Sequence, residues 1–311
     1  MTRRRLDALL LLDKPRGITS NAALQRAKRL FRAEKAGHAG TLDPLASGLL
    51  PVLFGEATKF SACLLESEKE YEAQVRLGVS TATGDAEGEV LERRKVALDP
   101  ARLEQALAQF RGAIDQVPPM YSALKHRGRP LYELARQGIE IERAPRRVVI
   151  SALELLARDG DRLGLRLRCS KGTYVRALAI DLGVALGTVA HLAELRRVAA
   201  GGFRVCDAIS LEALETLDEA ERDRHLLPVP ALLAGLPRVT LEAVAAQRFA
   251  HGQKVAAPGA AAGRCQVWNP SDGLLGLGEV AASGELRPLR VLAEAAQAAA
   301  HASASRKNLV G

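Results

Sequence analysis

The alternation of apolar and polar residues predicts two half-buried strands. Between Tyr71 and Val79 every second residue is apolar, and Glu, Gln, Arg and Gly fill the positions between them. Residues 162–169 repeat this pattern, with Leu or Cys alternating with Arg or Gly. Because successive side chains of a strand point to opposite faces, Tyr71 is expected on the apolar face. The uninterrupted apolar run Ala8–Leu12 predicts a further, buried strand that ends in a turn.

Helical periodicity and capping residues predict several helices, separated by turns. They are expected over about residues 20–31, 100–110, 130–137, 173–186 and 240–252. Tyr174 and Arg176 fall in the first turn of the 173–186 helix, at a strand-to-helix junction where site residues often lie. Short strands punctuated by Gly then predict a small β module that starts near Arg238. The Pro/Leu-rich residues 228–237 are expected to run along the surface between two domains.

The charge of the chain is large and unevenly distributed. The 311 residues carry a net charge of +8, and the sequence pI is about 9.6. The first 36 residues hold ten basic and three acidic residues, whereas residues 206–224, expected as an exposed helix and linker, hold seven acidic residues and two Arg. Separate basic blocks predict one basic face that suits nucleic acid, because binding neutralises phosphates. A solvated, Arg-rich surface explains the same charge.

Several classes of protein are excluded by composition and by the apolar runs. The four cysteines lie far apart and form no Cys-x-x-Cys pair, so a zinc ribbon is excluded and no metal is expected. The N-terminal apolar run is too short for a signal peptide, and no run reaches the length of a membrane span. We therefore expect a cytoplasmic protein that has no membrane contact.

The segment Gly37–Pro51 places one carboxylate, Asp43, between a Gly-rich turn and a proline. An Asp before Pro is biased toward extended backbone, and Gly37 and Gly40 allow turn geometries that are closed to other residues. His38 lies five residues upstream on the same loop. Such a loop can direct a carboxylate into a cleft, but an Asp-Pro turn that leads into a buried segment fits the local sequence as well.

From His38 to Leu50 the chain reads His-x-Gly-x-Leu-Asp-Pro-x-Ala-x-Gly-x-Leu. This segment resembles the active-site motif of the TruB family of tRNA pseudouridine synthases, and residues 13–20 resemble a second motif of that family. The resemblance implies that one uridine of the T-arm loop of tRNA, usually numbered 55, is isomerised to pseudouridine without a metal or cofactor. The reaction breaks the N1–C1′ bond and joins C1′ to C5, and a nucleophilic carboxylate can divide it into two easier steps.

The resemblance also implies which residues form the site. Those expected to take part in catalysis are Asp43, Tyr71 and Arg176. Those expected to contact the substrate are His38, Tyr71, Tyr174, Leu195 and Lys14. Arg176 would pair with Asp43, and Tyr71 would stack on a uridine that has flipped out of the folded loop. Read singly, each residue also fits an ordinary role, such as a core tyrosine or a helix-surface arginine.

The implied architecture is an α+β fold in two domains. A pseudouridine synthase catalytic domain with a central mixed, mainly antiparallel sheet is expected over residues 1–237, with a thumb-like insertion at about 117–144 that clamps the T-loop. A small PUA-like RNA-binding β pseudo-barrel is expected over 238–295, followed by a tail over 296–311. A tRNA-folding chaperone and an RNA-guided synthase of the dyskerin type stay open as alternatives. The insertion favours a stand-alone monomer that binds tRNA, helps to fold it and needs no protein partner.

Overall fold

The computed structural model describes residues 2–122, 124–271 and 273–293, and the expected tail over 296–311 lies outside them. The strands before residue 238 are β1 (Ala8–Lys14), β2 (Ala36–His38), β3 (Ala46–Phe54), β4 (Lys69–Leu77), β5 (Val79–Thr81), β6 (Val90–Arg93), β7 (Gly112–Gln116), β8 (Lys125–His126), β9 (Arg129–Pro130), β10 (Arg146–Asp159), β11 (Arg162–Cys169), β12 (Ala190–Ala200), β13 (Phe203–Arg204), β14 (Ile209–Ser210) and β15 (Leu226–Pro228). The helices of this part are α1 (Ser20–Leu30), α2 (Ser61–Glu66), α3 (Pro100–Gln109), α4 (Leu131–Arg136), α5 (Val175–Ala185), α6 (Leu211–Thr216) and α7 (Glu219–Asp223), with 3₁₀ segments at Gly55–Phe60, Val205–Asp207 and Val229–Leu233.

Most of these strands join one large mixed sheet. Its path runs β14-β1-β3-β12-β4-β11-β10-β7, and β2, β13 and β15 pair at its sides. The β1–β14 and β3–β12 pairs are parallel, and the other pairs along the path are antiparallel. The expected α+β class with a central mixed, mainly antiparallel sheet is confirmed. The predicted helices also form, and the Thr19 hydroxyl caps α1 by accepting a hydrogen bond from the Ala22 N–H.

The hydrophobic pattern of each strand follows from what covers its two faces. In β4 and β11 the apolar face is buried, and the other face carries ion pairs such as Arg166–Glu72, at 2.7 Å between Nη2 and Oε1. In β1 both faces are covered, so Leu9 to Leu12 are all buried. A strand that is buried on both faces needs a continuous apolar run rather than alternation.

Two hydrophobic clusters lie side by side on one face of the sheet. In the first, α3 and α5 pack on β4 and β11, and in the second, α1 and α6 pack on β1 and β3. Tyr71 on β4 and Leu195 on β12 pack against both clusters. The two clusters therefore meet at a seam over the centre of the sheet, and these two side chains lie in it.

The opposite face of β1 and β3 carries the C-terminal part of the chain. Its elements are β16 (Arg238–Thr240), α8 (Ala243–Ala250), β17 (Val255–Ala256), β18 (Gly263–Asn269), β19 (Gly273–Val280) and β20 (Glu285–Val291). The strands form a five-stranded sheet in the order β16-β18-β19-β20-β17, consistent with the expected PUA-like module. Leu274 and Leu277 join the cluster that contains Leu9 and Leu49. The end of this part is also attached to the side of the molecule that holds the large sheet, because the Ala293 N–H donates to Oε2 of Glu56, which follows β3, at 2.7 Å.

Two expectations about the connection between the domains need correction. The 3₁₀ segment Val229–Leu233 does not run along the surface, because Val229, Leu232 and Leu233 fill the cluster between the large sheet and the C-terminal module. The acidic residues 206–224 form the expected exposed helical structure in α6 and α7, but they are not a free linker, because Leu211 and Leu214 pack against α1. This packing brings Glu215 beside Arg26 of α1, with 2.5 Å between Oε1 and Nη2.

Candidate active site

The loop that carries Asp43 connects β2 to β3 and is anchored on both sides of the carboxylate. Ser20 Oγ, at the first residue of α1, accepts a hydrogen bond from the Leu42 N–H at 2.7 Å and donates to the Leu42 carbonyl at 2.9 Å. The Gly17 N–H donates to the Pro44 carbonyl at 2.8 Å. The Asp43 side chain itself is 44% exposed. The backbone is thus fixed while the carboxylate remains accessible.

Arg176 connects Asp43 to a second carboxylate. Its Nη2 lies 2.8 Å from Asp43 Oδ2 and donates to the Tyr121 carbonyl at 2.6 Å. Its Nη1 donates to the Thr83 carbonyl at 3.1 Å, and its Nε lies 3.6 Å from Asp85 Oδ2. The guanidinium lies in the first turn of α5, and its side chain is only 6% exposed. A buried arginine that is fixed in this way gives the Asp43 carboxylate a charged partner in a defined position.

A cavity of about 270 Å³ opens beside this pair. Asp43 and Arg176 form part of its wall, with Tyr71, Tyr174 and Leu195. Burial raises the pKa of the Tyr71 phenol, and the nearby Arg197 opposes that rise, so the phenol is protonated at neutral pH. The cavity therefore combines one accessible carboxylate with aromatic and aliphatic walls, which suits a planar, uncharged ring.

Three family models match consecutive parts of the chain. They are described as TruB family pseudouridylate synthase (N terminal domain), over residues 28–175, tRNA pseudouridylate synthase B C-terminal domain, over 176–234, and Pseudouridine synthase II TruB, C-terminal, over 237–292. The chain belongs to the TruB family of pseudouridylate synthases.

Relatives of this TruB-family chain match almost its whole length. The tRNA pseudouridine synthase B of Dechloromonas aromatica is 55% identical over 289 residues, which span 93% of this chain and 96% of the relative. The protein of the same name from Aromatoleum aromaticum is 55% identical over 296 residues, 95% and 96% of the two chains. Among solved structures, a chain in the crystal structure of the archaeal box H/ACA sRNP Nop10-Cbf5 complex superimposes with a TM-score of 0.70 at 25% identity, covering 92% of this chain and 86% of that one. The chain is accordingly a pseudouridine synthase, and the cavity beside Asp43 is its candidate active site.

Tyr174 lies at the N-cap of α5, one position before the helix rather than inside its first turn. Its backbone N–H donates to Gln116 Oε1 at 2.7 Å, and Gln116 Nε2 donates to the Tyr174 carbonyl at 3.1 Å. Burial raises the pKa of the Tyr174 phenol. Gln116 is buried at the end of a strand that is mostly exposed, and sequence reasoning did not single it out.

His38 lies on the other side of Asp43 from the first cavity. It lines a second cavity of about 520 Å³, together with Asp43, Tyr132 and Arg136. Tyr132 and Arg136 come from α4 in the expected thumb-like insertion. Burial lowers the pKa of the His38 imidazole, and the charge of Arg197 lowers it further, so the ring is neutral at pH 7. The structure therefore places His38 between the Asp43 loop and the insertion.

Lys14 is fully buried beneath the Asp43 loop and does not line either cavity. Its Nζ donates to the carbonyls of Pro15 at 2.9 Å and Ile18 at 2.7 Å, which fixes the turn between β1 and α1. Its part in substrate binding stays a prediction, and its observed hydrogen bonds serve the backbone.

Asp85 is a site residue that sequence reasoning missed. It lies in the turn between β5 and β6 and is 4% exposed. Its Oδ1 accepts hydrogen bonds from Thr83 Oγ1 at 2.6 Å and from the Glu87 N–H at 3.1 Å, which leaves Oδ2 directed to Arg176. In the sequence it is an Asp beside a Gly, which is the usual composition of a turn and gives no sign of a long-range partner.

Neither a cluster of metal ligands nor a helix that could span a membrane occurs in the part of the chain that the structure describes. Over residues 2–122, 124–271 and 273–293, no three His, Cys, Asp or Glu side chains are grouped so that they could hold a metal ion. Within those same ranges, no helix has both the length and the apolar character that crossing a membrane requires.

Proposed function

We propose that this enzyme converts uridine 55 in the T-arm loop of tRNA to pseudouridine, with Asp43 as the nucleophile. The observation that carries the proposal is the Asp43–Arg176 pair, at 2.8 Å, in the wall of a cavity that Tyr71 and Leu195 also line. The choice of tRNA is supported by relatives named tRNA pseudouridine synthase B, which are 55% identical and match 93% or more of the chain.

The chemistry requires only groups that this site contains. The N1–C1′ bond breaks, the C5–C1′ bond forms, C5 loses a proton and N1 gains one, so there is no net oxidation or reduction. Asp43 attacks C6 of the uracil or C1′ of the ribose, or assists removal of the C2′ proton, and each route uses the same carboxylate. Attack at C6 would hold the detached base on Asp43 while it turns, and attack at C1′ would hold the sugar instead.

The other residues have proposed roles that follow from their positions. A uridine must leave its folded loop to reach Asp43, at a cost of a few kcal/mol, and stacking on Tyr71 returns about 1–3 kcal/mol. Arg176 holds the carboxylate in place and supplies its counter-charge. Tyr174 and Leu195 pack around the base. His38, beside the insertion, contacts RNA as the base leaves the loop.

The proposed domain organisation follows the two sheets. We assign residues 1–237 to the catalytic domain, about 117–144 to an insertion that clamps the T-arm, and 238–295 to a PUA-like RNA-binding domain. We further propose a cytoplasmic monomer that acts on tRNA without an obligatory protein partner and also assists tRNA folding. The location of Tyr132 and Arg136 beside the second cavity supports the role of the insertion.

Tritium release tests the proposed reaction. Transcribed tRNA that contains [5-³H]uridine should release tritium with the wild-type enzyme, because C5 loses its hydrogen. The Asp43→Asn variant should bind tRNA with unchanged affinity and release none. Asp161→Asn is the matched control, because Asp161 is exposed and pairs with Arg76 at 3.5 Å between Oδ2 and Nε, outside the cavity wall. Normal turnover by Asp43→Asn would refute the assignment.

The same assay distinguishes the alternative functions. Release from a bare transcript, with no added protein or guide RNA, is expected of a stand-alone enzyme, and a transcript in which uridine 55 is replaced by cytidine should release no more than background. A requirement for a guide RNA would favour the dyskerin-type alternative. Restoration of tRNA folding by Asp43→Asn would show that assistance with folding is separable from catalysis.

A further inference from the structure

Arg197 is a buried arginine at the base of the active-site cavity. Its side chain lines the cavity, although the residue is only 1% exposed. Its Nη2 donates to the Gly40 carbonyl at 3.0 Å, and its Nε donates to the Leu49 carbonyl at 2.7 Å. Gly40 lies three residues before Asp43, and Leu49 lies six residues after it. One guanidinium group thus bonds the backbone on both sides of the loop that carries the nucleophile.

The loop is also packed tightly against Arg197. Gly40 and Gly48 have φ values of +92° and +101°, in the left-handed region that favours glycine. A Cβ atom added at Gly48 would lie 2.3 Å from the Arg197 carbonyl oxygen, and one added at Gly40 would lie 3.3 Å from Arg197 Nη1. Two glycines therefore allow the loop to approach Arg197 more closely than other residues would permit.

Arg197 also faces the aromatic wall of the cavity. It is the cross-strand neighbour of Tyr71 in the β4–β12 pair. Burial raises the pKa of the Tyr71 phenol, and the charge of Arg197 lowers it. Burying a guanidinium is costly, and this one donates to the carbonyls of Gly40 and Leu49, on either side of Asp43.

We propose that Arg197 is a positioning residue for the reaction, fixing the Asp43 loop relative to Tyr71. This inference deepens the proposed function and rests on it. The neighbouring Arg196 offers a contrast, because its guanidinium binds Asp13 at 2.7 Å between Nη2 and Oδ2, and it does not line either cavity beside Asp43. The two adjacent arginines therefore form a matched pair, one in the site and one outside it.

Single-turnover kinetics of Arg197→Lys test the proposal. Lysine keeps the positive charge but cannot reproduce the planar fork that reaches two separate carbonyls. At saturating tRNA the rate of pseudouridine formation should fall about 100-fold, as expected when reacting groups are displaced by about 1 Å. The affinity for tRNA should not change, and Arg196→Lys should keep the wild-type rate. In the double variant Arg197→Lys/Tyr71→Phe, the loss of rate should be smaller than the product of the losses in the two single variants, because the two residues act as a unit.

The outcomes separate this proposal from a structural role and from failure of the proposed function. If Arg197→Lys is less stable but reacts at the wild-type rate when folded and saturated, the positioning role is refuted. If it does not fold, Gly40→Ala perturbs the same contact from the loop and should give the same loss of rate without loss of affinity. A wild-type rate for Gly40→Ala would then refute the proposal. An inactive wild-type enzyme would instead refute the proposed function, and with it the reaction that Arg197 is proposed to serve.

Discussion

Replacing Lys14 by Met removes a buried ammonium group while keeping most of the side-chain volume. Lys14 is fully buried, and its Nζ bonds the carbonyls of Pro15 and Ile18. Burial lowers the pKa of Lys14 from 10.5 to about 8. The same residue was expected to contact the substrate, so its replacement also tests that role.

The lowered pKa of Lys14 fixes the sign of the pH effect. Below pH 8 Lys14 is protonated in both the folded and the unfolded chain, and the folded chain bears the cost of the buried charge. Between pH 8 and about 10.4 the unfolded chain holds more protons, so the free energy of unfolding rises with pH. From pH 7 to pH 10 this gain amounts to about 2.5 kcal/mol. Met at position 14 does not titrate, so the Lys14→Met variant lacks this rise in the free energy of unfolding with pH. The variant also loses two hydrogen bonds, of about 1 kcal/mol each.

Urea unfolding at pH 7, 8.5 and 10 measures this difference, with fluorescence of Trp268, the single tryptophan of the chain, and circular dichroism as probes. The free energy of unfolding of the wild type should rise relative to Lys14→Met as the pH increases. Lys95→Met, which replaces an exposed lysine, should follow the wild type. Parallel pH curves for wild type and Lys14→Met would refute the argument that burial controls the titration of Lys14. Weaker tRNA binding by Lys14→Met at a pH where it is fully folded would favour the expected substrate role.

Further predictions concern the site, the contact between the domains and the RNA-binding surface. Asp85→Asn should lower the single-turnover rate about tenfold or more, because Arg176 loses its second carboxylate partner. The dissociation constant for tRNA should stay the same. Glu56→Ala should lower the free energy of unfolding by about 1–2 kcal/mol, measured by urea denaturation, because the Ala293 N–H loses its acceptor. Arg127→Ser, in the β8–β9 turn, should reduce by about one the slope of log affinity for tRNA against log salt. Arg26→Ser should leave that slope unchanged in the same titration, because its charge is already neutralised by an acidic partner.

Local patterns in the sequence predicted the elements that depend on local physics. The alternation around Tyr71 requires only that one face of a strand is buried, and β4 forms there. The hydroxyl at Thr19 requires only a free N–H in the first helical turn, and α1 begins directly after it. The Asp43 motif is likewise contiguous, so its loop could be recognised from a single segment.

The missed residues depend on contacts between distant segments and on irregular strand register. Asp85 acts on Arg176, 91 positions further along the chain, and no local pattern links them. Arg197 and Arg196 form a plain basic pair in the sequence. The register of β12 against β4 shifts between Leu192 and Glu194 and again between Arg197 and Ala199, so residues 190–200 show no continuous alternation and their pattern does not predict a strand. Between the two shifts the register is regular, and Arg197, two residues after Leu195, lines the same cavity. A bulge reverses the faces of all following side chains, and only the paired strand shows where it occurs.

Basic and acidic blocks that are far apart in the sequence pair with each other in the folded protein. The composition of the basic N-terminal block suits phosphates, but Arg4 pairs with Asp223 at 2.6 Å between Nη2 and Oδ2, and Arg26 pairs with Glu215. Such partly exposed pairs contribute at most about 1 kcal/mol each to stability, so their main effect is on the surface potential. Because the acidic residues 206–224 neutralise these arginines, the N-terminal block attracts phosphates less strongly than its sequence alone suggests. Residues 125–147 hold seven basic and three acidic side chains, and Arg136 of this segment lines the second cavity, so we expect the segment to attract RNA to the side that holds Asp43.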